Sequence, residues 1–136
     1  MNKQVYLITL LIFTFGCKHD TSKTLKEDYI WNSKKVTATA YNSVKSQTSG
    51  NPNITAFGDT LKPGMKCIAV SRDLLKLGLK HNTPVEIDGL EGVYWVKDKM
   101  HSRWKNRIDI YMGLNIKAAK EWGRRPVRIS YGLAKY

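Results

Sequence analysis

The feature that most constrains the fold is an alternation of apolar and polar residues that recurs from about residue 35 to the end of the chain. A period of two is typical of β-strands, because successive side chains point to opposite faces of a sheet. Turn-forming Gly, Pro, Asn and Asp residues separate the alternating segments, so each segment is short. Six strands are predicted, at residues 36–41, 66–70, 84–88, 92–98, 107–112 and 127–131.

Two short helices and one long loop interrupt this alternation. Residues 73–79 and 115–122 have helical spacing, and Gly123 ends the second helix. Residues 42–64 are rich in Ser, Gly, Asn and Pro, which predicts a long loop. Six short strands and two small helices in about 100 residues predict an all-β fold, a closed β-barrel.

The N-terminus has the pattern of an export signal. A basic start is followed by a mostly apolar stretch over residues 5–15, too short for a membrane-spanning helix of about 20 residues. Gly16 and Cys17 resemble the lipobox of bacterial lipoproteins. We predict a signal peptide over residues 1–16, a lipidated Cys17 with a tether over residues 17–33, and a domain over residues 34–136. Such a lipoprotein would lie on the outer membrane facing the periplasm, or at the cell surface; cleavage without lipidation is the alternative.

The net charge favours anionic partners. The chain has 23 Lys and Arg residues against 11 Asp and Glu residues, a formal net charge of +12. No helix-turn-helix, RNP or zinc pattern occurs, so nucleic acid is not an expected partner. Anionic phospholipid headgroups and cell-wall polymers both remain open.

Short motifs at the ends of the predicted strands carry a family resemblance. They are Thr39-Ala-Tyr41, Thr55-Ala-Phe-Gly58, Ile68-Ala-Val70, Leu77-Gly-Leu79, Arg107-Ile-Asp-Ile-Tyr111 and the segment from Ala119 to Arg124. Asp98 is followed eleven residues later by Asp109. Together, over residues 36–131, these motifs resemble the three-aspartate (3D) domain. The resemblance implies a six-stranded double-psi β-barrel, as in the catalytic domain of membrane-bound lytic transglycosylase A.

The resemblance also implies an activity on peptidoglycan glycan strands, without a cofactor. Asp109 would protonate the oxygen that joins N-acetylmuramic acid to N-acetylglucosamine. It would then accept the proton of the muramyl C6 hydroxyl, which attacks the anomeric carbon and leaves a 1,6-anhydro end. Asp98 is the second catalytic candidate, and hydrolysis at the same linkage is the alternative reaction.

The residues around the two aspartates agree with this chemistry. Alternation places Arg107, Asp109 and Tyr111 on one face of a strand, and Asp98 at the end of another strand, so pairing of the strands would bring the carboxylates together. A general acid needs a pKa well above the usual Asp value of about 3.9. A nearby Asp98 would raise the pKa of Asp109, whereas a nearby Arg107 would lower it. The alternative is that both aspartates are hydrogen-bond acceptors at the barrel end.

Further residues are predicted to contact the substrate. Thr39, Tyr41 and Thr55 match the cleft-facing motif of the family, although packing in or on the barrel is equally compatible with their types. Ser71 stands where the family has its first aspartate. Predicted substrate-binding residues are Thr39, Tyr41, Thr55, Ser71, Arg107 and Tyr111.

Two departures from the family pattern limit what the resemblance implies. Asp73 either replaces the missing first aspartate or caps the helix that follows. A bulky, basic segment at residues 99–106 stands where the family has glycines, and it reshapes the cleft. Its His101 could join Asp98 and Asp109 around a metal ion, but this spacing matches no metal motif, so no metal is expected.

Three functions therefore remain open for a chain expected to be a monomer. An open groove and a raised Asp109 pKa would favour a peptidoglycan-cleaving enzyme. A groove filled by Trp104, or by an ion pair between Arg107 and Asp109, would favour a noncatalytic peptidoglycan-binding lipoprotein. A basic face without a groove would favour a wall anchor.

Overall fold

The computed structural model describes residues 26–46 and 50–135. Its elements are β1 (Tyr29–Tyr41), β2 (Cys67–Val70), α1 (Arg72–Lys76), β3 (Pro84–Ile87), β4 (Val93–Lys99), β5 (Arg107–Tyr111), α2 (Ile116–Trp122) and β6 (Arg125–Ala134). A further helical turn covers residues 26–28. All six predicted strands and both predicted helices are therefore present. In the described part of the chain, no helix has the length and apolar character that crossing a membrane requires.

The six strands close into a barrel with the neighbour order β1-β5-β2-β4-β3-β6. Two pairs are parallel, β1 with β5 and β2 with β4, and the remaining pairs are antiparallel. Parallel neighbours must be joined by chain that crosses over rather than by a hairpin. The chain forms a six-stranded double-psi β-barrel, which confirms the predicted fold class.

The barrel begins earlier than the sequence predicted. β1 starts at Tyr29 and pairs with β6 from Tyr29 opposite Ala134 to Ala38 opposite Arg125. Residues 29–33 therefore belong to the barrel and not to the tether. These residues bury little apolar surface, since Ile30 is 52% exposed. Backbone pairing with β6 therefore extends the strand, and the sequence pattern does not reveal it. The signal peptide and Cys17 lie outside the described residues and stay predictions.

Each strand contributes to a core inside the barrel. Ile108 and Ile110 point inward, as the alternation of β5 predicted, and both are at most 1% exposed. Burial of one such side chain stabilises the fold by about 1.5–3 kcal/mol. The other fully enclosed members of the cluster include Val36, Ala38, Ile68, Val70, Val85, Ile87, Val96 and Ile129. Because residues 29–134 contain all six strands and this core, they have what a chain needs to fold on its own.

The long loop packs onto the outside of the barrel. Its described part contains one isolated bridge, between Ile54 and Thr60. Leu61 is 4% exposed and joins Cys67 and Tyr111 in a second, smaller apolar cluster. This contact fixes the loop close to the end of the barrel where the predicted aspartates lie.

Candidate functional site

A β-bulge in β4 decides which way Asp98 points. Ile68 of β2 pairs with Val96, but the next residue, Ala69, pairs with Asp98, so Lys97 is an extra residue in the ladder. Strict alternation would place Asp98 on the inner face with Val96. The extra residue instead places Asp98 on the outer face, on the same side as Ala69.

The bulge aligns four residues in one row across four neighbouring strands. Thr39 of β1 pairs with Asp109 of β5, Asp109 pairs with Ala69 of β2, and Ala69 pairs with Asp98 of β4. Paired residues share a face, and neighbouring strands lie about 4.8 Å apart. The two carboxylates therefore flank the small side chain of Ala69, which leaves open space between them.

Asp109 is held in a partly buried position by one side-chain hydrogen bond. The Thr39 hydroxyl donates to Asp109 Oδ1 over 2.9 Å. Burial raises the pKa of Asp109, and the negative charge of Asp98 adds to this, whereas the Thr39 hydrogen bond and the positive charge of Arg107 lower it; the net shift is upward. Asp109 is therefore displaced toward the protonated form that a general acid needs.

Asp98 holds the long loop in place. Its Oδ1 accepts hydrogen bonds from the backbone N–H of Ala56 and of Lys99, both over 2.8 Å. One oxygen of this carboxylate is thus already occupied by the chain itself. Asp98 therefore acts as an anchor and a negative neighbour of Asp109, with Oδ2 as its remaining acceptor.

A pocket of about 190 Å³ opens beside the two carboxylates. Four of its eight lining residues come from the bulky segment at residues 99–106, where the family pattern has glycines. Trp104 lines the pocket and does not fill it. The lining residues are Tyr41, Ala69, Asp98, Lys99, Met100, His101, Trp104 and Asp109.

Tyr41 lines the pocket, but its hydroxyl is enclosed by the protein. The hydroxyl has no hydrogen-bond partner among the described residues. Burial, and then the nearby Cys67, Asp98 and Asp109, raise the pKa of Tyr41, so the hydroxyl keeps its proton. Tyr41 therefore shapes the wall of the pocket, where it packs against Tyr111.

Arg107 packs against an aromatic ring rather than against Asp109. Its guanidinium carbon lies 3.9 Å from the centroid of the Trp104 ring. The salt bridges of the described residues are Asp59 with His81 and Lys97, and Lys117 with Glu121, so none joins Arg107 to Asp109. The pocket is thus closed neither by Trp104 nor by that ion pair.

Of the six predicted substrate contacts, Tyr41 lines the pocket and the other five do not: Thr39, Thr55, Ser71, Arg107 and Tyr111. Three of these five are enclosed by other parts of the chain. Ser71 is 0% exposed and its hydroxyl accepts from the Arg107 backbone N–H, so it joins β2 to β5. Thr55 is 6% exposed and accepts from the Asp59 backbone N–H within the long loop. Tyr111 is 4% exposed, and its hydroxyl shares a hydrogen bond with that of Ser43. Each has a packing or hydrogen-bonding role.

Asp73 neither reaches the pocket nor caps α1. Ser71 occupies the N-cap position of α1, and Asp73 lies in its first turn. The Asp73 carboxylate accepts from the Asn106 backbone N–H over 2.8 Å, which fixes the end of the segment that carries Trp104. Among the described residues, no group of three or more His, Cys, Asp or Glu side chains is arranged to hold a metal ion.

A second, larger hollow of about 390 Å³ lies between β6 and the turn before β3. It is lined by residues of that turn, among them Lys80 and His81, and by residues of β1 and β6. No carboxylate is among its lining residues. A third hollow, of about 330 Å³, is lined by Glu86 and Asp88. The smaller acidic pocket is the candidate site because it contains Asp109, a partly buried carboxyl group whose pKa is raised.

Comparison with known proteins gives a distant structural likeness. No protein-family profile and no curated protein matches the sequence. An apo expansin of Clavibacter michiganensis matches with a TM-score of 0.47 and 18% identity, over 77% of this chain and 52% of the expansin. An expansin mutant of the same species, in complex with cellohexaose, matches with a TM-score of 0.46 and 17% identity over the same shares.

The chain thus spans about half the length of these expansins, 52%. A likeness this distant says nothing about what the present chain binds. The double-psi assignment rests on the strand order of the chain itself. Membership of the three-aspartate family is supported by no match and stays a prediction.

Proposed function

We propose that the barrel binds glycan strands of cell-wall peptidoglycan in the acidic pocket and cleaves them with Asp109 as the acid and base. One observation carries this proposal. Asp109 is a partly buried carboxyl with a raised pKa, and it lines an open pocket beside a second carboxylate and the Trp104 ring. Perturbed carboxyl groups in a cleft are typical of catalytic sites.

The proposed reaction uses one carboxyl group twice. Oδ1 of Asp109 is engaged by Thr39, so Oδ2 donates the proton to the oxygen of the glycosidic bond as that bond breaks. The carboxylate then accepts the proton of the C6 hydroxyl of the same sugar, whose oxygen bonds to the anomeric carbon. The products are a free hydroxyl and a 1,6-anhydro end, and Asp109 is reprotonated without a water molecule.

Other pocket residues have supporting roles in this proposal. The negative charge of Asp98 lies near Asp109. In the proposed reaction it also stabilises the positive charge that develops at the anomeric carbon. Trp104 offers a ring for stacking against the sugar. A pocket of about 190 Å³ is smaller than a typical ligand site of roughly 300 to 1,000 Å³, so it holds a single sugar ring while the strand continues over the surface.

A noncatalytic peptidoglycan-binding module is the second candidate. The observation that favours it is the bond pattern of Asp98, whose Oδ1 is occupied by two backbone N–H groups. A carboxylate used in this way stabilises the loop whether or not chemistry occurs. In that function the same pocket would hold a sugar ring without cleaving the bond beside it.

The proposal includes a location. Export, lipidation of Cys17 and attachment to the outer membrane, facing the periplasm or the cell surface, would place the barrel next to peptidoglycan. The apolar stretch before Cys17 and the net charge of +12 support this part of the proposal.

Digestion of purified peptidoglycan tests the function. Residues 26–136, with and without Asp109→Asn, are incubated with peptidoglycan, and the products are identified by mass spectrometry. Asp88→Asn is the matched control, because Asp88 is exposed and does not line the pocket. We expect anhydro-ended products from the wild type and the control, and a rate lower by roughly a hundredfold to ten-thousandfold in Asp109→Asn.

Each other outcome selects a different function. Reducing ends in place of anhydro ends would mean a hydrolase. No product from a folded chain that still sediments with peptidoglycan would reject the enzyme and leave the binding module. A folded chain that neither cleaves nor sediments would reject both.

A further inference from the structure

Two arginines pack against Trp104, which lines the acidic pocket, and a third lies close enough for its charge to act on Arg107. Arg103, Arg107 and Arg124 are called the arginine cluster below. The guanidinium carbons of Arg107 and Arg103 lie 3.9 and 4.7 Å from the centroid of the Trp104 ring. Arg124 directly precedes β6, and the register of β5, β1 and β6 places Arg107 in one row with Thr37 and Pro126. Burial, and then the positive charge of Arg124, lower the pKa of Arg107; the negative charge of Asp109 raises it, Arg103 lowers it less, and the net shift is downward.

The guanidinium group of Arg107 has no direct contact with a counter-charge; Asp109 acts on it only from a distance. The residue is only 6% exposed, yet its guanidinium group makes no hydrogen bond or salt bridge to any described side chain or backbone group. Charged side chains are rarely this buried unless they are paired, because desolvation of an unpaired charge is costly. The stacking on Trp104 compensates only part of that cost. The cluster therefore fits an anion that the chain itself does not supply.

We propose that the arginine cluster binds a carboxylate carried by a sugar of the glycan, next to the ring held in the acidic pocket. A guanidinium group matches a carboxylate with two parallel hydrogen bonds, and Trp104 borders both places. Arg107 and Asp109 are two residues apart on β5, about 7 Å, which is comparable to the width of one sugar ring. The inference rests on the proposed function and adds to it the class of glycan: an acidic one.

Two kinds of sugar supply this carboxylate: an amino sugar whose lactyl ether carries no peptide, and a uronic acid. Calorimetry on residues 26–136 separates them with three tetrasaccharides. They are alternating N-acetylglucosamine and N-acetylmuramic acid with free lactyl groups, chitotetraose, which lacks those groups, and tetragalacturonate. The parent chain carries Asp109→Asn so that no probe is cleaved. We expect at least one acidic probe to bind about tenfold more tightly than chitotetraose, and the better of the two identifies the source.

Variants of the cluster show whether the arginines cause that preference. Arg103→Gln with Arg124→Gln removes the two exposed arginines and leaves the buried Arg107 in place. We expect this pair to reduce the preference to less than about twofold. Lys80→Gln with Arg128→Gln, two exposed cations elsewhere, removes the same charge and should keep the preference. The subsite is overturned if the parent chain binds all three probes equally. It is also overturned if the cluster variant keeps the preference for an acidic probe. Either result leaves glycan binding itself intact.

A second measurement does not depend on the glycan site. The Nε–Hε resonance of Arg107, assigned through Arg107→Lys, is followed by NMR during titration with glucuronate and with glucose. We expect a saturating shift with glucuronate and none with glucose. If the Arg107 resonance does not shift with glucuronate, the subsite is overturned. If it shifts with glucuronate but the chain binds no tetrasaccharide, the subsite is supported and the proposed function is rejected.

Discussion

At the residue scale, the candidate site depends on opposing effects on one carboxyl group. Burial and Asp98 raise the pKa of Asp109, and Thr39 and Arg107 lower it. Because Arg107 stacks on Trp104 and forms no ion pair with Asp109, burial outweighs its charge. A small change in the position of Arg107 would therefore change the protonation of Asp109, which links the basic and the acidic parts of the site.

Asp109→Asn should stabilise the barrel at neutral pH. The raised pKa means that the folded state holds this proton more tightly than the unfolded state, whose Asp pKa is about 3.9. The free energy of unfolding of the wild type therefore falls as pH rises from about 3.9 through the folded pKa. Urea unfolding at pH 3 and pH 7 measures the effect: the gain of the variant over the wild type should appear at pH 7 and be absent at pH 3. If Asp109→Asn were less stable than the wild type at pH 7 but not at pH 3, the raised pKa of Asp109 would be contradicted.

Thr39→Val should destabilise the barrel and raise the pKa of Asp109 further. The substitution keeps the shape of the side chain but removes the 2.9 Å hydrogen bond to Asp109 Oδ1. Hydrogen bonds to charged groups contribute about 1.5–3 kcal/mol, so a loss of that order is expected at pH 7 by urea unfolding. Thr37→Val is the matched control, since Thr37 lies on the same strand and face without such a bond. Equal losses in both variants, or an unchanged 13C titration of Asp109, would refute the role of Thr39.

Much of this residue-scale chemistry could be predicted from the sequence, but the contacts could not. The outward face of Asp109 follows from the alternation of β5. The roles of Ser71 and Tyr111 do not, because the residue type does not reveal whether a hydroxyl faces a ligand or a neighbouring strand. Only pairing of β2 with β5, and packing of the long loop, show that both hydroxyls are enclosed.

At the element scale, the bulge in β4 has the largest effect on the site. All six strands could be predicted, because most have a local alternation and β2 is a short apolar run between turn residues. The bulge could not, because the extra residue Lys97 has no local signature and is defined by its pairing with β2. From alternation alone, Asp98 shares a face with Val96, and Asp109 lies opposite the core residues Ile108 and Ile110. The two carboxylates therefore lie on the same face, on either side of Ala69, only because the ladder is irregular.

The loop before β2 is fixed by an ionic contact that can be tested. Asp59 accepts hydrogen bonds from His81 Nε2 over 2.5 Å and from Lys97 over 3.1 Å. Although burial raises the pKa of Asp59, these bonds outweigh it and lower the pKa. The contact therefore stabilises the fold above about pH 3.9, and the contribution is lost as pH falls through the folded pKa.

Asp59→Asn should loosen this loop where it is bound to Asp98 at the acidic pocket. We expect a loss of about 1 kcal/mol at pH 7, and faster hydrogen exchange at the Ala56 amide, which donates to Asp98. Asp88→Asn, an exposed carboxylate without such contacts, is the control and should leave both quantities unchanged. Unchanged exchange at Ala56 in Asp59→Asn would show that the loop is fixed by its apolar contacts alone.

At the scale of the whole molecule, charge and fold have separate roles. The double-psi barrel needs only its apolar interior, and the net charge of +12 lies on residues that the core does not use. Such a charge attracts anionic polymers from a distance, whereas the pocket recognises a single sugar ring. Attraction and recognition should therefore respond differently to salt.

Binding to intact peptidoglycan should weaken strongly as salt is added. The Debye length falls from about 30 Å at 0.01 M to about 3 Å at 1 M, so attraction between the basic surface and anionic wall polymers is screened over this range. Sedimentation of residues 26–136 with peptidoglycan should show an affinity at least about tenfold lower at 1 M than at 0.01 M sodium chloride. Chitotetraose, which is uncharged, should bind with an affinity that changes less than about twofold. If both affinities fall together, salt acts on the pocket itself; if neither falls, the surface charge has no part in attachment to the wall.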